Sequence, residues 1–194
     1  MLTYTSARMT PTTKTRTLST AEERREGLVK AAMPVFGRHG FHAASTVEIA
    51  KYAGISQAYL FRLFPTKVDL FVAAYAEASK RMAHSFHEAA DRAERDGVDS
   101  LEAMGKAYDE LLNTDRDVLL LQLAAQVGAS DEPRIRTALQ SCFRELYELV
   151  AARSGASGEE LRMWFAHGML CNVMAAIDAE KVDEPWARAL TPQK

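Results

Sequence analysis

Residues 45–67, which read STVEIAKYAGISQAYLFRLFPTK, concentrate polar, aromatic and basic side chains in one short stretch. Gln57, Ala58, Tyr59 and Arg62 have the spacing of one outer face of a short helix, near its N-terminal end. A glutamine can form two hydrogen bonds to adenine, an arginine can form two to guanine, and an alanine or aromatic ring can contact a thymine methyl group. These residue types at this spacing indicate chemistry suited to the edges of DNA bases.

The surrounding residues predict the two helices that would hold this face. Ser45 with Glu48 caps a first short helix, and Ser56 caps a second one that ends before Pro65. Gly54 lies between the two helices, where a tight turn needs a left-handed or closely packed backbone. The apolar residues Ala50, Ile55, Leu60 and Phe64 can pack this pair against a preceding helix. The layout is that of a helix-turn-helix, which places its second helix in a DNA groove.

Helical patterns cover most of the remaining chain. Thr20 with Glu23 opens a first helix that Gly40 can close in a left-handed cap, and Pro34 should kink or loosen its last turn. Thr66 with Asp69 opens a long helix that runs to about residue 95. Four more helices are predicted at about 99–112, 115–128, 132–153 and 158–179. No run shows two-residue alternation, so the predicted fold class is all-α.

Charge is unevenly distributed along the chain. The 194 residues have a net charge of −2, but residues 1–67 carry ten Lys/Arg against four Asp/Glu, and residues 68–194 carry fourteen against twenty-two. This division suits a small basic DNA-facing module on an acidic body, although it can also arise by chance. Residues 1–18 contain Arg8, Lys14 and Arg16 without an acidic residue. They are predicted to be a disordered tail or, alternatively, a basic arm that follows DNA.

The composition also predicts the compartment of the chain. No secretory signal or run of about 18 apolar residues is present, and the most apolar stretch, residues 163–177, is too short to cross a bilayer. Cys142 and Cys171 have neither metal-ligand spacing nor the pattern of a disulfide framework, so the prediction is a reducing cytoplasm. The thiol of Cys171 is expected to pack in the core rather than to react.

Residues 20–71 also resemble one known protein family. The matching segments are Phe36 with His39-Gly40-Phe41, Thr46 to Ala50, Ala53 to Ser56, and Leu60 to Lys67 followed by Leu70-Phe71. They resemble the tetracycline-repressor (TetR) family of bacterial transcriptional regulators. The resemblance implies a nine-helix, all-α homodimer that binds a near-palindromic operator as a repressor and is released from DNA by a small molecule. It needs no cofactor.

The resemblance also implies boundaries and roles for this sequence. A basic arm would span residues 1–18, the DNA-binding domain residues 19–66, and the ligand-binding and dimerisation domain residues 67–194. The base-facing positions of the family correspond to Gln57, Ala58 and Tyr59, and the phosphate-contacting positions to Thr46, Phe61, Arg62 and Lys67. Phe61 and Leu63 stand where the family usually has polar aromatic residues, so the resemblance implies fewer hydrogen bonds to phosphate at these positions.

The C-terminal half predicts a dimer interface and a ligand pocket. Residues 163–177 are apolar on nearly every side, so one face would pack on the body and another on a second copy. The residues predicted for the interface are Leu146, Val150, Phe165, Gly168 and Met169. The residues predicted for the pocket, each of which could equally be core filling, are Met104, Tyr108, Gln122, Gln126, Phe143, Tyr147, Trp164, His167 and Asn172. This mixture favours a neutral or weakly polar ligand.

Two other classes of function remain open from the sequence. A small helical enzyme or carrier would use the pocket for chemistry, but no nucleophile–base pair, phosphate loop or metal motif supports a catalytic site. His84 and His87 share a helix face, yet no third metal ligand accompanies them, and solvated histidines are the preferred interpretation. A dimeric adaptor that binds a protein partner is the other alternative.

Overall fold

A computed structural model describes residues 20–191 as helices joined by short turns, with no strand in that range. The elements are α1 Ala21–Ala43, α2 Thr46–Tyr52, α3 Gln57–Leu63, α4 Lys67–Asp96, α5 Ser100–Thr114, α6 Arg116–Gly128, α7 Pro133–Ser154, α8 Gly158–Ala176, a 3₁₀ turn Ala179–Lys181 and α9 Pro185–Leu190. The all-α prediction is confirmed. The predicted arm at residues 1–18 lies outside the described range.

Local capping defines the first helices as the sequence predicts. Thr20 and Glu23 form a reciprocal capping box at α1, and Thr66 and Asp69 form another at α4. The hydroxyl of Ser56 accepts a hydrogen bond from the backbone N–H of Tyr59 at 3.2 Å, which caps α3. Between α2 and α3, Gly54 has a φ of 66°, the left-handed conformation that a turn of this kind requires. These caps set the start of each helix.

The end of α1 differs from the prediction. The backbone is non-helical at Gly40, with φ 69° and ψ 178°, but helical geometry resumes and α1 continues to Ala43. Gly40 therefore interrupts the regular helix, as predicted, and a short helical turn follows to Ala43. Pro34 lies inside α1 with helical backbone angles, so the departure from helical geometry falls at Gly40 and not at Pro34.

The body consists of α4 to α9. The four predicted helices after residue 97 correspond to α5, α6, α7 and α8, with boundaries that agree within three residues. The 3₁₀ turn and α9 were not predicted, although Pro185 at the first turn of α9 is a recognised helix-start signal. In the described part of the chain, no helix is long and apolar enough to cross a membrane, and no group of three His, Cys, Asp or Glu residues could hold a metal ion.

The contact between α1 and α6 is the largest in the structure and joins the N-terminal domain to the body. The two helices approach closely at Gly37. A Cβ atom at this position would lie 3.1 Å from Leu120 Cβ and 3.4 Å from the backbone nitrogen of Leu121. A side chain at Gly37 would therefore make an unusually tight contact with α6, which would have to shift slightly to accommodate it.

We predict that Gly37→Ala destabilises the protein relative to Gly27→Ala on the same helix. A Cβ at Gly27 meets nothing within 4 Å, so that substitution should gain about 0.5–1 kcal/mol from helix propensity. At Gly37 the same gain is opposed by overpacking that typically costs about 1–3 kcal/mol. Urea unfolding of the two variants measures the difference. Equal stabilisation by both substitutions would show that α1 and α6 do not need the close approach.

Candidate nucleic-acid interface and buried cavity

The outer face of α3 is exposed and carries no acidic side chain. Gln57, Ala58, Phe61 and Arg62 are all solvent-accessible, whereas Leu60 faces the core. The amide of Gln57 is oriented by the neighbouring helix, because its Nε2 donates to Thr46 Oγ1 at 2.8 Å. Its Oε1 and its other amide hydrogen remain able to bond an adenine edge. The bond fixes the direction of Gln57 before any DNA is present.

Tyr59 lies between two guanidinium groups. Arg24 of α1 and Arg62 of α3 each lie 5.6 Å from the centre of the Tyr59 ring. A cation over an aromatic face is stabilised by about 0.5–1 kcal/mol at exposed sites. The half-buried ring of Tyr59 thus brings Arg24 of α1 next to α3. The sequence analysis named Tyr59 and Arg62 but not Arg24.

Lys67 contacts the end of α1. Its Nζ donates to the backbone carbonyl of His42 at 2.8 Å and lies 5.3 Å from the centre of the Phe41 ring. Partial burial lowers the pKa of Lys67. The structure therefore shows this ammonium group satisfying one of the last carbonyls of α1, which otherwise have no partner. Its predicted contact with a phosphate stays a prediction.

Two further arginines hold the N-terminal domain together through aromatic rings. Arg25 donates to the backbone carbonyl of Leu63, the last residue of α3, and its guanidinium lies 4.0 Å from the centre of the Phe64 ring. Arg38 lies 5.8 Å from the Tyr52 ring centre and donates to its hydroxyl at 3.4 Å. Tyr52 is a surface aromatic at the end of α2 that the sequence analysis missed.

A second set of polar contacts links the N-terminal domain to the turn before α7. The carboxylate of Asp69 accepts hydrogen bonds from the backbone N–H of Thr66 at 2.9 Å and its hydroxyl at 2.6 Å, and also from Arg134. His42 Nε2 lies 2.9 Å from a carboxylate oxygen of Asp131. Asp69 of the α4 capping box thus also pairs with Arg134 of α7.

The body contains a small apolar cavity of about 30 Å³. Most of its wall is aromatic, and none of its lining residues carries a formal charge at neutral pH. Burial raises the pKa of Tyr75, and raises that of Tyr108 to about 12, so both phenols stay neutral. The residues lining the cavity are Tyr75, Met82, Phe86, Tyr108, Gln122, Phe143, Leu146, Trp164, Phe165, Gly168 and Met169.

Three polar side chains are hydrogen-bonded to one another beside this cavity. The hydroxyl of Tyr108 lies 2.6 Å from Asn172 Oδ1 and 3.3 Å from Gln122 Oε1, and Asn172 Nδ2 donates to Gln122 Oε1 at 3.4 Å. Asn172 is fully buried and Gln122 is 6% exposed. Within residues 20–191, the buried Gln122 Nε2 has no hydrogen-bond acceptor.

The residues predicted for the pocket fall into three groups. Tyr108, Gln122, Phe143 and Trp164 line the cavity. Asn172 supports the wall through Tyr108 and Gln122, Gln126 Nε2 lies 3.7 Å from the sulfur of the lining residue Met169, and Met104 is buried without lining the cavity. Tyr147 and His167 are largely exposed on α7 and α8.

The predicted dimer residues point into the chain. Val150 is fully buried in the core, and Leu146, also buried, lines the cavity, so these two do not lie on a surface that a second copy could contact. Phe165, Gly168 and Met169 are half-buried and line the cavity too. The apolar residues that α8 exposes are Met163, Ala166, Val173 and, just beyond its end, Ile177. The predicted interface residues therefore lie on a different side of α8 from its exposed apolar residues, and their contact with a second copy stays a prediction.

Comparison with known proteins identifies the N-terminal domain. The family model described as "Bacterial regulatory proteins, tetR family" matches residues 28–74, which include α2, α3 and the start of α4. The match covers the helix-turn-helix region and does not extend over the body. Over 152 residues the chain is 28% identical to the HTH-type transcriptional activator FasR of Mycolicibacterium smegmatis, and the chain spans 65% of that relative's length and 73% of its own.

Solved structures show the same fold. A TetR-family member from Streptomyces coelicolor A3 has a TM-score of 0.68 and 24% identity, covering 88% of this chain and 99% of that one. The regulator FadR from Bacillus subtilis, solved in complex with stearoyl-CoA, has a TM-score of 0.64 and 16% identity, covering 85% and 94%. The similarity of fold therefore extends from the N-terminal helices through the helical body.

We predict that the contacts of Asp69 make stability depend on acid pH. Hydrogen bonds from Thr66, and to a lesser extent from Arg134, lower the pKa of Asp69 below its usual value. The unfolded chain therefore binds the proton first, so the stabilisation is complete above about pH 5 and is lost as the pH falls through the native pKa. Urea unfolding of Asp69→Asn and the parent between pH 3 and pH 7 measures this contribution.

Two further variants, unfolded in urea over the same pH range, separate the contributions of Thr66 and Arg134 to the lowered pKa of Asp69. Thr66→Ala should remove more of the pH-dependent stability than Arg134→Met, because the Thr66 hydrogen bonds are the larger cause of the lowered pKa. A larger loss in Arg134→Met than in Thr66→Ala would contradict this ranking.

Proposed function

We propose that this protein is a DNA-binding transcriptional regulator that reads its operator with α3. The observation that carries the proposal is the exposed face of α3, on which Gln57 and Arg62 stand without an acidic neighbour on the helix. Gln57, Ala58 and Tyr59 would face the bases. Thr46, Phe61, Arg62 and Lys67 would face the phosphates, with Phe61 limited to an apolar contact.

The aromatic partners of the arginines support this proposal. Within the described chain, Arg25, Arg38 and Arg62 have no carboxylate within salt-bridge distance, whereas each lies over a ring of Phe64, Tyr52 or Tyr59. A ring holds a guanidinium in place without cancelling its charge. The N-terminal domain thus keeps the positive potential that attracts a phosphate backbone.

We propose that two copies associate through α8 and α7. The exposed apolar residues Met163, Val173 and Ile177 follow one side of α8, and Tyr147 of α7 is 46% exposed. A second copy related by a two-fold axis would cover this surface and form a four-helix interface. The two α3 helices of such a dimer would match the two halves of a near-palindromic operator.

A small molecule in the cavity would regulate DNA binding through α6. Gln122 of α6 lines the cavity, and the adjacent residues Leu120 and Leu121 abut Gly37 on α1. A ligand that favours a different position of α6 therefore also favours a different position of α1, because packed helices shift as units. The stearoyl-CoA complex of FadR shows that a similarly folded protein binds a small molecule.

The proposed direction of control is repression, relieved when the ligand releases the operator. The alternative is activation, which the name of the FasR relative favours. A reporter gene placed behind the operator decides between them. Deletion of the regulator raises expression if it represses and lowers expression if it activates.

We predict distinct effects of Arg62 and Gln57 on DNA binding. The operator would be identified by selecting, from random duplex DNA, the sequences that the protein binds. Arg62→Ala should weaken binding to selected and unselected DNA alike and reduce the slope of log K against log salt by about 1, because it removes one phosphate contact. Gln57→Ala should instead relax preference at one base pair by about 1–3 kcal/mol. Fluorescence anisotropy at several salt concentrations measures both.

Arg92→Ala provides the matched control, since Arg92 is an exposed arginine on α4 whose partner is Glu88 on the same helix. It should leave affinity and salt slope unchanged. Failure of selection to enrich any sequence, with the protein folded, would sink the proposal that α3 reads DNA.

We predict that Val173→Lys disrupts the dimer. A lysine at the centre of the proposed interface would bury an unpaired charge, which should raise the dimer dissociation constant roughly a hundredfold or more. Val127→Lys is the control, because Val127 is an apolar residue that is 70% exposed on α6 and is not part of the proposed interface. Sedimentation velocity reports the oligomeric state of both. Dimers of equal strength in both variants would rule out this face of α8.

A further inference from the structure

Arg24 lies at the start of α1, beside the helix with which the proposed regulator would contact DNA. We infer that Arg24 is a further DNA-contacting residue, which binds the phosphate backbone near Arg62 and is held in position by the ring of Tyr59. The inference adds to the DNA interface a residue from outside the helix-turn-helix, and it rests on the proposed function.

The start of α1 is attached to the end of α3. Arg25 donates to the backbone carbonyl of Leu63, and its guanidinium lies 4.0 Å from the centre of the Phe64 ring. The preceding residue points about 100° away from Arg25 around the helix axis. Arg24 therefore reaches a different part of α3, where its guanidinium carbon lies 5.6 Å from the centre of the Tyr59 ring.

Arg24 and Arg62 share one ring and therefore one patch of surface. The guanidinium carbon of Arg62 also lies 5.6 Å from the centre of the Tyr59 ring, so the two carbons are at most about 11 Å apart. This separation is smaller than the width of the major groove, about 12 Å. With α3 in the groove, a residue of the neighbouring helix at this distance lies at the edge of the groove, where the phosphates are.

The acidic residues near the start of α1 are engaged on other sides of the helix. Glu22 and Glu26 line a groove between α1 and α4. The carboxylate of Glu23 accepts a hydrogen bond from the backbone N–H of Thr20 at 2.7 Å, which turns it toward the start of the helix. The side of α1 that faces α3 therefore presents Arg24 to an approaching phosphate.

The ring of Tyr59 prepares both guanidinium groups for binding. A guanidinium that lies over an aromatic face keeps its full charge and its planar set of N–H donors, which match the oxygens of a phosphate. Its side chain is already partly ordered, so less conformational freedom is lost when DNA binds. Tyr59 is thus a positioning residue for Arg24 and Arg62, and this role requires the ring but not the hydroxyl.

Replacement of Arg24 by a neutral residue tests the phosphate contact. Fluorescence anisotropy would compare Arg24→Gln with the wild type on the selected operator and on a duplex of scrambled sequence, at several salt concentrations. The slope of log K against log salt should fall by about 1 on both duplexes, because one phosphate contact is lost. The defect of the variant should shrink by about three- to fourfold between about 50 and 200 mM salt.

Three matched variants accompany this measurement. Arg24→Ala is a second neutral variant and should lose the same slope, whereas Arg24→Lys keeps the charge and should keep the wild-type slope. Lys30→Gln removes a positive charge from the same helix, at a residue that lines the groove between α1 and α4, and should change neither affinity nor slope. Thermal unfolding confirms that each variant is folded.

A double-mutant cycle tests the positioning role of Tyr59. Tyr59→Leu should weaken DNA binding and leave the salt slope unchanged, because both arginines remain but are no longer held in place. The affinity loss caused by Arg24→Gln should be about two- to fivefold smaller in the Tyr59→Leu background than in the wild type, the effect of one exposed contact between a cation and a ring. Tyr59→Phe retains the ring and should bind like the wild type.

An unchanged salt slope in both neutral variants of Arg24, or a changed preference at one base pair in place of a uniform loss, would overturn the phosphate contact. Equal losses from Arg24→Gln with and without Tyr59→Leu, or a Tyr59→Phe variant as weak as Tyr59→Leu, would overturn the role of the ring. Wild-type protein that binds neither duplex would refute the proposed function together with this inference. Wild-type binding with an unchanged slope in the Arg24 variants would refute this inference alone.

Discussion

The close approach of α1 and α6 is the constraint on which the arrangement of the two domains depends. Gly37 allows it, since any side chain at this position would meet Leu120 or the backbone of Leu121. The same helix contributes Gln122 to the cavity. Because protein interiors are close-packed, a displacement of α6 at the cavity cannot be absorbed at the α1 contact. The packing at Gly37 therefore links the position of α6 to that of α1.

Short-range signals explain why much of the fold could be predicted from the sequence. Thr20 with Glu23, Ser56 and Thr66 with Asp69 fix helix starts through contacts within three residues. Side-chain partners distant in sequence could not be predicted in this way. Gln57 is joined to Thr46 across eleven positions, and Lys67 to the His42 carbonyl across twenty-five. Such pairs depend on how the helices cross, which local patterns do not specify.

The rotation of α8 could not be predicted for a different reason. A helix that is apolar on nearly every side has no clear hydrophobic face, so its sequence does not say which residues point inward. Phe165, Gly168 and Met169 turn toward the cavity, whereas Met163 and Val173 face outward. A polar residue on the outer side would have fixed the rotation. The cavity residues Tyr108 and Gln122 were found more readily because polar atoms inside apolar helices stand out.

The absence of charge from the cavity wall has a consequence for how the two sites respond to the medium. DNA binding that displaces counterions weakens steeply as salt increases. A neutral molecule in a cavity without charged groups would not be subject to screening, and the phenols of Tyr75 and Tyr108 do not ionise near neutral pH. Ionic strength would thus tune how firmly the protein holds an operator while leaving its sensitivity to the ligand unchanged. Osmotic stress and chemical signal would reach the same regulator through separate sites.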